Sequence, residues 1–205
     1  MSDPFVIDTA RVRRSFGRSD GAYDAAAVLQ ARVREELLGR LDLVRLEPVA
    51  VLDLGAGTGH ASLALKRRYP SSRVVALDLA EGMLRSARRR QTLLRRFATV
   101  CADATSLPLR DACVDLVFSN LMLQWCNDPD AVFRECRRVL RPGGLLTFAT
   151  LGPDTLMELR RAWAVADGHV HVNRFIDMHD LGDALVRSGL AEPVMDVERL
   201  TLTYA

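Results

Sequence analysis

Short apolar runs alternate along the chain with longer stretches in which apolar residues return every three to four positions. The runs have the length and make-up of buried strands, and the periodic stretches are helices with one apolar side. The first run, V-A-V-L-D-L at 49–54, leads into glycines at 55, 57 and 59, then into a helix over 61–69 that Pro70 stops. Further strands are expected at 73–79, 97–101, 113–119 and 145–150. A helix over 81–96 turns Met83, Leu84 and Ala87 inward. Another starts at an Asp128 cap with Pro129 in first position and is stopped by R-P-G-G at 141–144.

Before the first strand, Ala26, Leu29, Val33, Leu37 and Leu41 mark a helix over 22–43. Ahead of it lies a basic arm, Arg11, Arg13, Arg14 and Arg18 around Phe16, which reads as frayed and solvated. After the fifth strand come a helix over 155–166, the loop G-H-V-H-V-N-R-F-I, and a helix from Asp177 to Arg187. Asp180 gives that last helix an acidic variant of the capping box, and Gly189 stops it. Residues 193–204 read as a strand whose apolar phase slips near Glu198-Arg199, the mark of a bulge.

Strands and helices alternating at these lengths are βαβ units. The expected fold is α/β, a doubly wound Rossmann-like parallel sheet with a helical extension at its N-terminal side. No repeat, low-complexity tract or linker divides the 205 residues. A single domain is expected, with 1–45 as arm and lid, 46–150 as ligand-binding core and 151–205 on the substrate side.

Composition narrows the function. The chain is 49% hydrophobic and 26% charged, so it is globular, and a net charge of +2 argues against nucleic acid as partner. No apolar run approaches the roughly 18 residues of a membrane span, and no basic-then-apolar leader opens the chain. Cys101, Cys113, Cys126 and Cys136 lack C-x-x-C spacing, which points to reduced thiols and a cytoplasmic setting. His169, His171 and His179 lack supporting carboxylate spacing, so no metal is expected.

The glycine turn by itself marks a ligand platform without choosing the ligand. Three acids choose it. Asp53 precedes the turn, Asp78 ends the second strand and Asp103 follows the third, all at the carboxyl edge of the sheet. An acid at the end of the second strand suits a ribose diol. Asp53 would repel a pyrophosphate but favours an ammonium or sulfonium centre. S-adenosylmethionine (SAM) carries both, with a ribose.

The strings V-L-D-L-G-A-G-T-G, A-D-A-T-S-L-P-L and L-R-P-G-G-L-L, with the Asp78 strand end, resemble class I SAM-dependent methyltransferases. That resemblance implies a seven-stranded sheet with an antiparallel last strand. It implies a SAM site at Tyr23, Asp53, Gly55, Ala56, Gly57, Asp78, Leu79, Met83, Asp103, Ala104 and Asn120, with S-adenosylhomocysteine (SAH) as product. Gly55 and Gly57 are placed at the methionine moiety, Asp78 at the ribose, and Asp103 and Ala104 beside the adenine.

Longer strings narrow it. S-F-G-R-S-D-G-A-Y-D, S-N-L-M-L-Q-W-C-N-D, F-A-T-L-G-P-D-T-L-M-E-L-R and R-F-I-D-M-H-D-L-G-D-A-L resemble the malonyl-acyl-carrier-protein O-methyltransferases of biotin synthesis. The resemblance implies methylation of the free carboxylate of a malonyl thioester on acyl-carrier protein, toward a pimeloyl precursor. It implies Tyr23, Trp125 and Arg174 as substrate residues, and a monomer. Members of that family continue past a strand like 201–204, so the last strand is expected to be missing from this chain.

A carboxylate is already a nucleophile and a sulfonium already activated, so no catalytic general base is expected. Arg174 suits the malonyl carboxylate through its bidentate fork. Arg85, Arg88, Arg89, Arg90, Arg95 and Arg96 form a basic run able to steer an acidic carrier. Two rivals stand beside this reading: methylation of a quinone or another small acid, and a non-catalytic SAM-binding assembly factor.

Overall fold

The computed structural model describes residues 6–17, 22–167 and 169–202. Five strands form one sheet in the order β3-β2-β1-β4-β5. They are β1 (Ala50–Leu54), β2 (Arg73–Asp78), β3 (Ala98–Cys101), β4 (Val114–Asn120) and β5 (Leu140–Ala149), and every pairing is parallel. The seven strands implied by resemblance are thus five among the described residues.

β1 is central and buried throughout, as its run, apolar at every position but Asp53, requires. Its side chains alternate between two cores. Leu52 and Leu54 join Val117, Phe133 and Leu181 on one face, while Val51 joins Leu65, Leu84 and Phe118 on the other. Period two places Asp53 on the second face, under α4 (His60–Arg68). The chain crosses from β1 to β2 on one side of β1 and reaches β4 on the other, so the crevice opens at the carboxyl end of β1.

The arm forms α1 (Thr9–Gly17) rather than a frayed segment. Arg18 of the basic cluster lies outside the described residues. The helix expected over 22–43 breaks into α2 (Ala22–Ala26), α3 (Val28–Arg40) and a 3-10 turn, Leu41–Leu43, because Ala27 leaves helical geometry at ψ 40°. α1 ends against α5 (Glu81–Arg90), where the Gly17 carbonyl occupies the space a side chain at Gly82 would need.

α5 stops at Arg90 instead of 96. Gln91 turns extended, Thr92 and Arg95 bridge, and Phe97 is thereby returned to the core beside Gly59. α6 (Pro129–Val139) starts as expected, with the Asp128 carboxylate accepting from the Ala131 N–H at 2.8 Å. R-P-G-G does not separate α6 from β5. The strand begins at Leu140, and the register jumps from Val114–Leu140 to Leu116–Leu145, so 141–144 bulge out of the ladder.

α7 (Met157–Ala166) and α8 (Met178–Arg187) follow, α8 capped by Asp177, which accepts from the His179 N–H. Residues 193–202 form no strand, and 203–204 lie outside the described residues. A strand exists only on a ladder partner. This segment instead runs beside α3, where Arg40 pairs with Asp196 at 2.8 Å, and Val194 and Val197 are exposed.

Candidate functional site

The turn after β1 takes three glycines through positive φ, at Gly55 (77°), Gly57 (54°) and Gly59 (83°), a region that disfavours a side chain. It is pinned to β2, because the N–H groups of Gly55 and Ala56 both donate to the Leu77 carbonyl. The Gly57 N–H donates to Asp78 Oδ2 and the Ala80 N–H to Asp78 Oδ1, each at 2.8 Å. Nothing lies within 4 Å of where a Gly57 side chain would start, so the backbone there is open to a ligand.

Above the turn is a cavity of about 340 Å³. Tyr23, Asp53, Gly55, Ala56, Gly57, Asp78, Leu79, Met83, Asp103, Ala104, Asn120 and Trp125 all line it. Arg174 does not. It lines a smaller cavity of about 150 Å³ that adjoins the first through Cys126 and Asn127. Asp103 is held by the N–H and hydroxyl of Thr105, at 2.8 and 2.7 Å.

Burial shapes the acids. Asp53 accepts from the Ser62 hydroxyl at 2.5 Å, yet burial, with the Asp78 charge adding, pushes its pKa up to about 7. Burial also raises Asp78, against its two backbone donors. Asp53 therefore braces the turn from behind through α4, while Asp78 presents its remaining lone pairs to the cavity. Tyr23 is raised by burial and by Asp78 and Asp24, so its hydroxyl keeps its proton and can donate. Cys126 is pushed up to about 12 by burial and Asp103, which leaves it a thiol and no nucleophile.

Several lining residues escaped the sequence reading. Thr9, Val12, Arg13 and Phe16 form one face of α1 over the cavity. Their i, i+3, i+4, i+7 spacing is legible, but half of them are polar, so apolar periodicity passes them by. Phe16 meets Trp125 edge-on at 5.2 Å and Tyr23 at 6.0 Å, closing an aromatic wall. Asp24 on α2 accepts from the Thr58 hydroxyl at 2.6 Å and from Arg90 at 2.5 Å, and faces His60 at 3.4 Å. Arg90 also donates to the Thr58 carbonyl, so one member of the basic run is engaged inside the site.

The features fit SAM. Asp78 offers acceptors for a diol, the glycine turn lets a ligand approach, and the buried Asn120 side-chain oxygen has no hydrogen-bond partner among the described residues. Among those residues no three His, Cys, Asp or Glu side chains gather as for a metal, and no helix is long and apolar enough to cross a membrane.

A methyltransferase-domain family model matches residues 52–148. A SAM-dependent methyltransferase from Thermotoga maritima, described as a possible histamine N-methyltransferase, superposes with a TM-score of 0.64 at 20% identity over 86% of this chain and 80% of that one. Fold and site together define a class I SAM-dependent methyltransferase.

The malonyl-[acyl-carrier protein] O-methyltransferase of Methylovorus sp. (strain MP688) is 57% identical over 99% of this chain and 71% of its own length. That of Laribacter hongkongensis (strain HLHK9) is 56% identical over 100% and 71%. The chain belongs to the malonyl-[acyl-carrier protein] O-methyltransferase family.

Proposed function

We propose that the protein esterifies the free carboxylate of a malonyl group carried as a thioester on acyl-carrier protein, an early step toward the pimeloyl precursor of biotin. The observation that carries this reading is identity of 56–57% across essentially the whole chain to two enzymes of that name. The cavity chemistry supports it. SAM, when bound, supplies a methyl group already activated by its sulfonium, and SAH is left.

What the chain must add is placement and dryness. Asp78 takes the ribose hydroxyls, the Gly55–Gly57 backbone lies along the methionine moiety, and Leu79, Met83, Asp103 and Ala104 enclose the adenine. Phe16, Tyr23 and Trp125 wall off water where the acyl end enters. Arg174, in the adjoining cavity, pairs with the malonyl carboxylate, and that attraction is lost once the ester forms. Residues 1–45 serve as arm and lid, 46–150 as the SAM core and 151–205 as the substrate side of a cytoplasmic monomer. No side chain acts as general base: Asp53 is bound to Ser62, and a carboxylate substrate needs none.

Transfer of labelled methyl from SAM to malonyl-carrier protein, with the ester identified by mass, is the test. Absence of transfer in protein that still binds SAH would overturn the reading in favour of an assembly factor. Transfer to a quinone or another small acid instead would favour a different methyltransferase.

A further inference from the structure

We infer that the outer face of α5 and the turn that follows it form the docking surface for the acyl-carrier protein. The inference rests on the proposed methylation of a carrier-bound malonyl group and adds where that carrier sits. The Arg95 N–H donates to the Thr92 carbonyl at 3.1 Å and closes the turn, which puts Leu93 and Leu94 at its centre, 84% and 92% exposed. Such positions ordinarily carry Gly, Asn, Asp or Ser. Two adjacent leucines held out in solvent and rimmed by charge suit the apolar patch of a partner.

The rim is basic and unanswered. Arg85 and Arg89 stand one turn apart on the exposed face of α5, and Arg95 and Arg96 follow the leucines. Arg85 faces Glu81 at 3.5 Å, a solvated pair that neutralises little. Among the described residues Arg89, Arg95 and Arg96 make no salt bridge, whereas Arg90 is engaged with Asp24 inside the site. The chain as a whole is nearly balanced, with 28 basic and 26 acidic residues. Arginines elsewhere have their acids, as Arg138 has Glu135 and Arg141 has Asp115. The unmatched charge is therefore local, and it complements a small acidic protein such as the carrier.

The surface also lies within reach of the site. α5 starts just after Asp78, at the carboxyl edge of the sheet, and runs back about 15 Å to Arg90. Its head meets α1 at Gly17 and Gly82, and α1 covers the larger cavity with Val12 and Phe16. Arg11 and Arg14 are exposed on the side of α1 away from the cavity, so the basic surface continues up to the lid. A carrier seated on α5 thus stands about one helix length from the crevice. Its long prosthetic arm, which presents the thioester, has that span to cover.

The test is steady-state methylation by the intact protein of two substrates: malonyl-carrier protein, and malonyl-pantetheine, the same thioester without the carrier. Arg89→Glu with Arg95→Glu should lower kcat/KM for malonyl-carrier protein about tenfold or more at low salt, and added salt should narrow the gap. Leu93→Ser with Leu94→Ser should lower it several-fold through KM, with little salt dependence. Both double variants should keep malonyl-pantetheine turnover and SAH affinity within about twofold, which also establishes that they fold. Equal losses for the two substrates, or undiminished use of the carrier, would overturn the assignment. So would wild-type binding to phosphatidylglycerol vesicles that the leucine variant loses while its carrier kinetics stay unchanged, since the turn would then serve a membrane. A wild-type protein that methylates neither substrate would overturn the methylation reading as well, and is thereby told apart from a failure of docking alone.

Discussion

Asp24 and Thr58 are joined by a 2.6 Å hydrogen bond that fastens the N-terminal arm to the glycine turn. Arg90 holds the same carboxylate from the other side. Burial raises the Asp24 pKa, but the Thr58 bond and the Arg90 and His60 charges outweigh it and hold the group below the usual carboxylate range. The arm therefore closes on a charged latch. Asp24→Ala should cost about 1 kcal/mol of stability, the scale of one net hydrogen bond at a partly exposed site, and weaken SAH binding several-fold. Chemical denaturation and calorimetry measure the two effects; unchanged SAH affinity would show that the arm closes without the latch.

Gly82 and Gly39 make a paired experiment. A side chain at Gly82 meets the Gly17 backbone carbonyl, so Gly82→Ala should lever α1 off α5 and expose the arm to protease. At Gly39, inside α3, nothing lies within 4 Å of the added carbon. Gly39→Ala should therefore raise stability, by about 0.5–1 kcal/mol, through helix propensity alone. Limited proteolysis and thermal melts read both; a protected arm in the Gly82 variant would remove the packing argument.

Asp53 sets a pH dependence of definite sign. Its folded pKa of about 7 lies above the ordinary 3.8. Between those values the unfolded chain has released a proton that the folded one keeps. Its contribution to stability is full below about pH 4 and is lost as pH rises to about 7, at about 1.4 kcal/mol per pH unit between the two. Asp53→Asn removes this slope while keeping an acceptor for Ser62. The difference in urea midpoint between variant and wild type should grow in the variant's favour from pH 5 to pH 8. A constant difference would mean that Asp53 stays ionised throughout.

Asp78 is the group whose loss should be felt most in cofactor binding. Asp78→Ala leaves the Gly57 and Ala80 N–H groups without their acceptor and removes the ribose partner. Hydrogen bonds to charged groups are worth about 1.5–3 kcal/mol each, so SAH and 5′-methylthioadenosine, which keeps the adenosine but lacks the amino-acid end, should both weaken by about tenfold or more. Retained affinity for both would displace the ribose from this strand end.

Arg174 and Arg13 compete for one role. Arg13 lines the larger cavity on α1, and Arg174 the adjoining one. Arg174→Ala should raise KM for malonyl-carrier protein about tenfold or more with SAM affinity intact, and Arg13→Ala should do less. The reverse ranking would move the acyl carboxylate to the arm.

The sheet was legible because its signals are local. Apolar runs, the positive-φ glycines and the Asp128-Pro129 start each act within a few residues. Twelve of the thirteen nominated site residues line one cavity, because strand ends and the turn after β1 converge there in any doubly wound fold. What escaped is what depends on distant partners. Asp24 finds Thr58 and Arg90 across 34 and 66 positions. Arg34, which also lines the cavity, looks in sequence like any surface arginine of a helix. The strand expected at 193–204 fails for the same reason: its alternation is real, but a ladder needs a neighbour, and the described part of the segment pairs with α3 instead.

Phe16 against Trp125 gives the chain its own optical gauge. The protein has two tryptophans. Trp163 is stacked on His171 at 4.0 Å, whereas Trp125 meets Phe16 of α1 edge-on. Lifting α1 takes Phe16 from that indole and bares more of a ring already 37% exposed, so a Trp163→Phe background isolates an emission that reports arm opening. The fraction of time the cofactor cavity stands uncovered becomes measurable without a label.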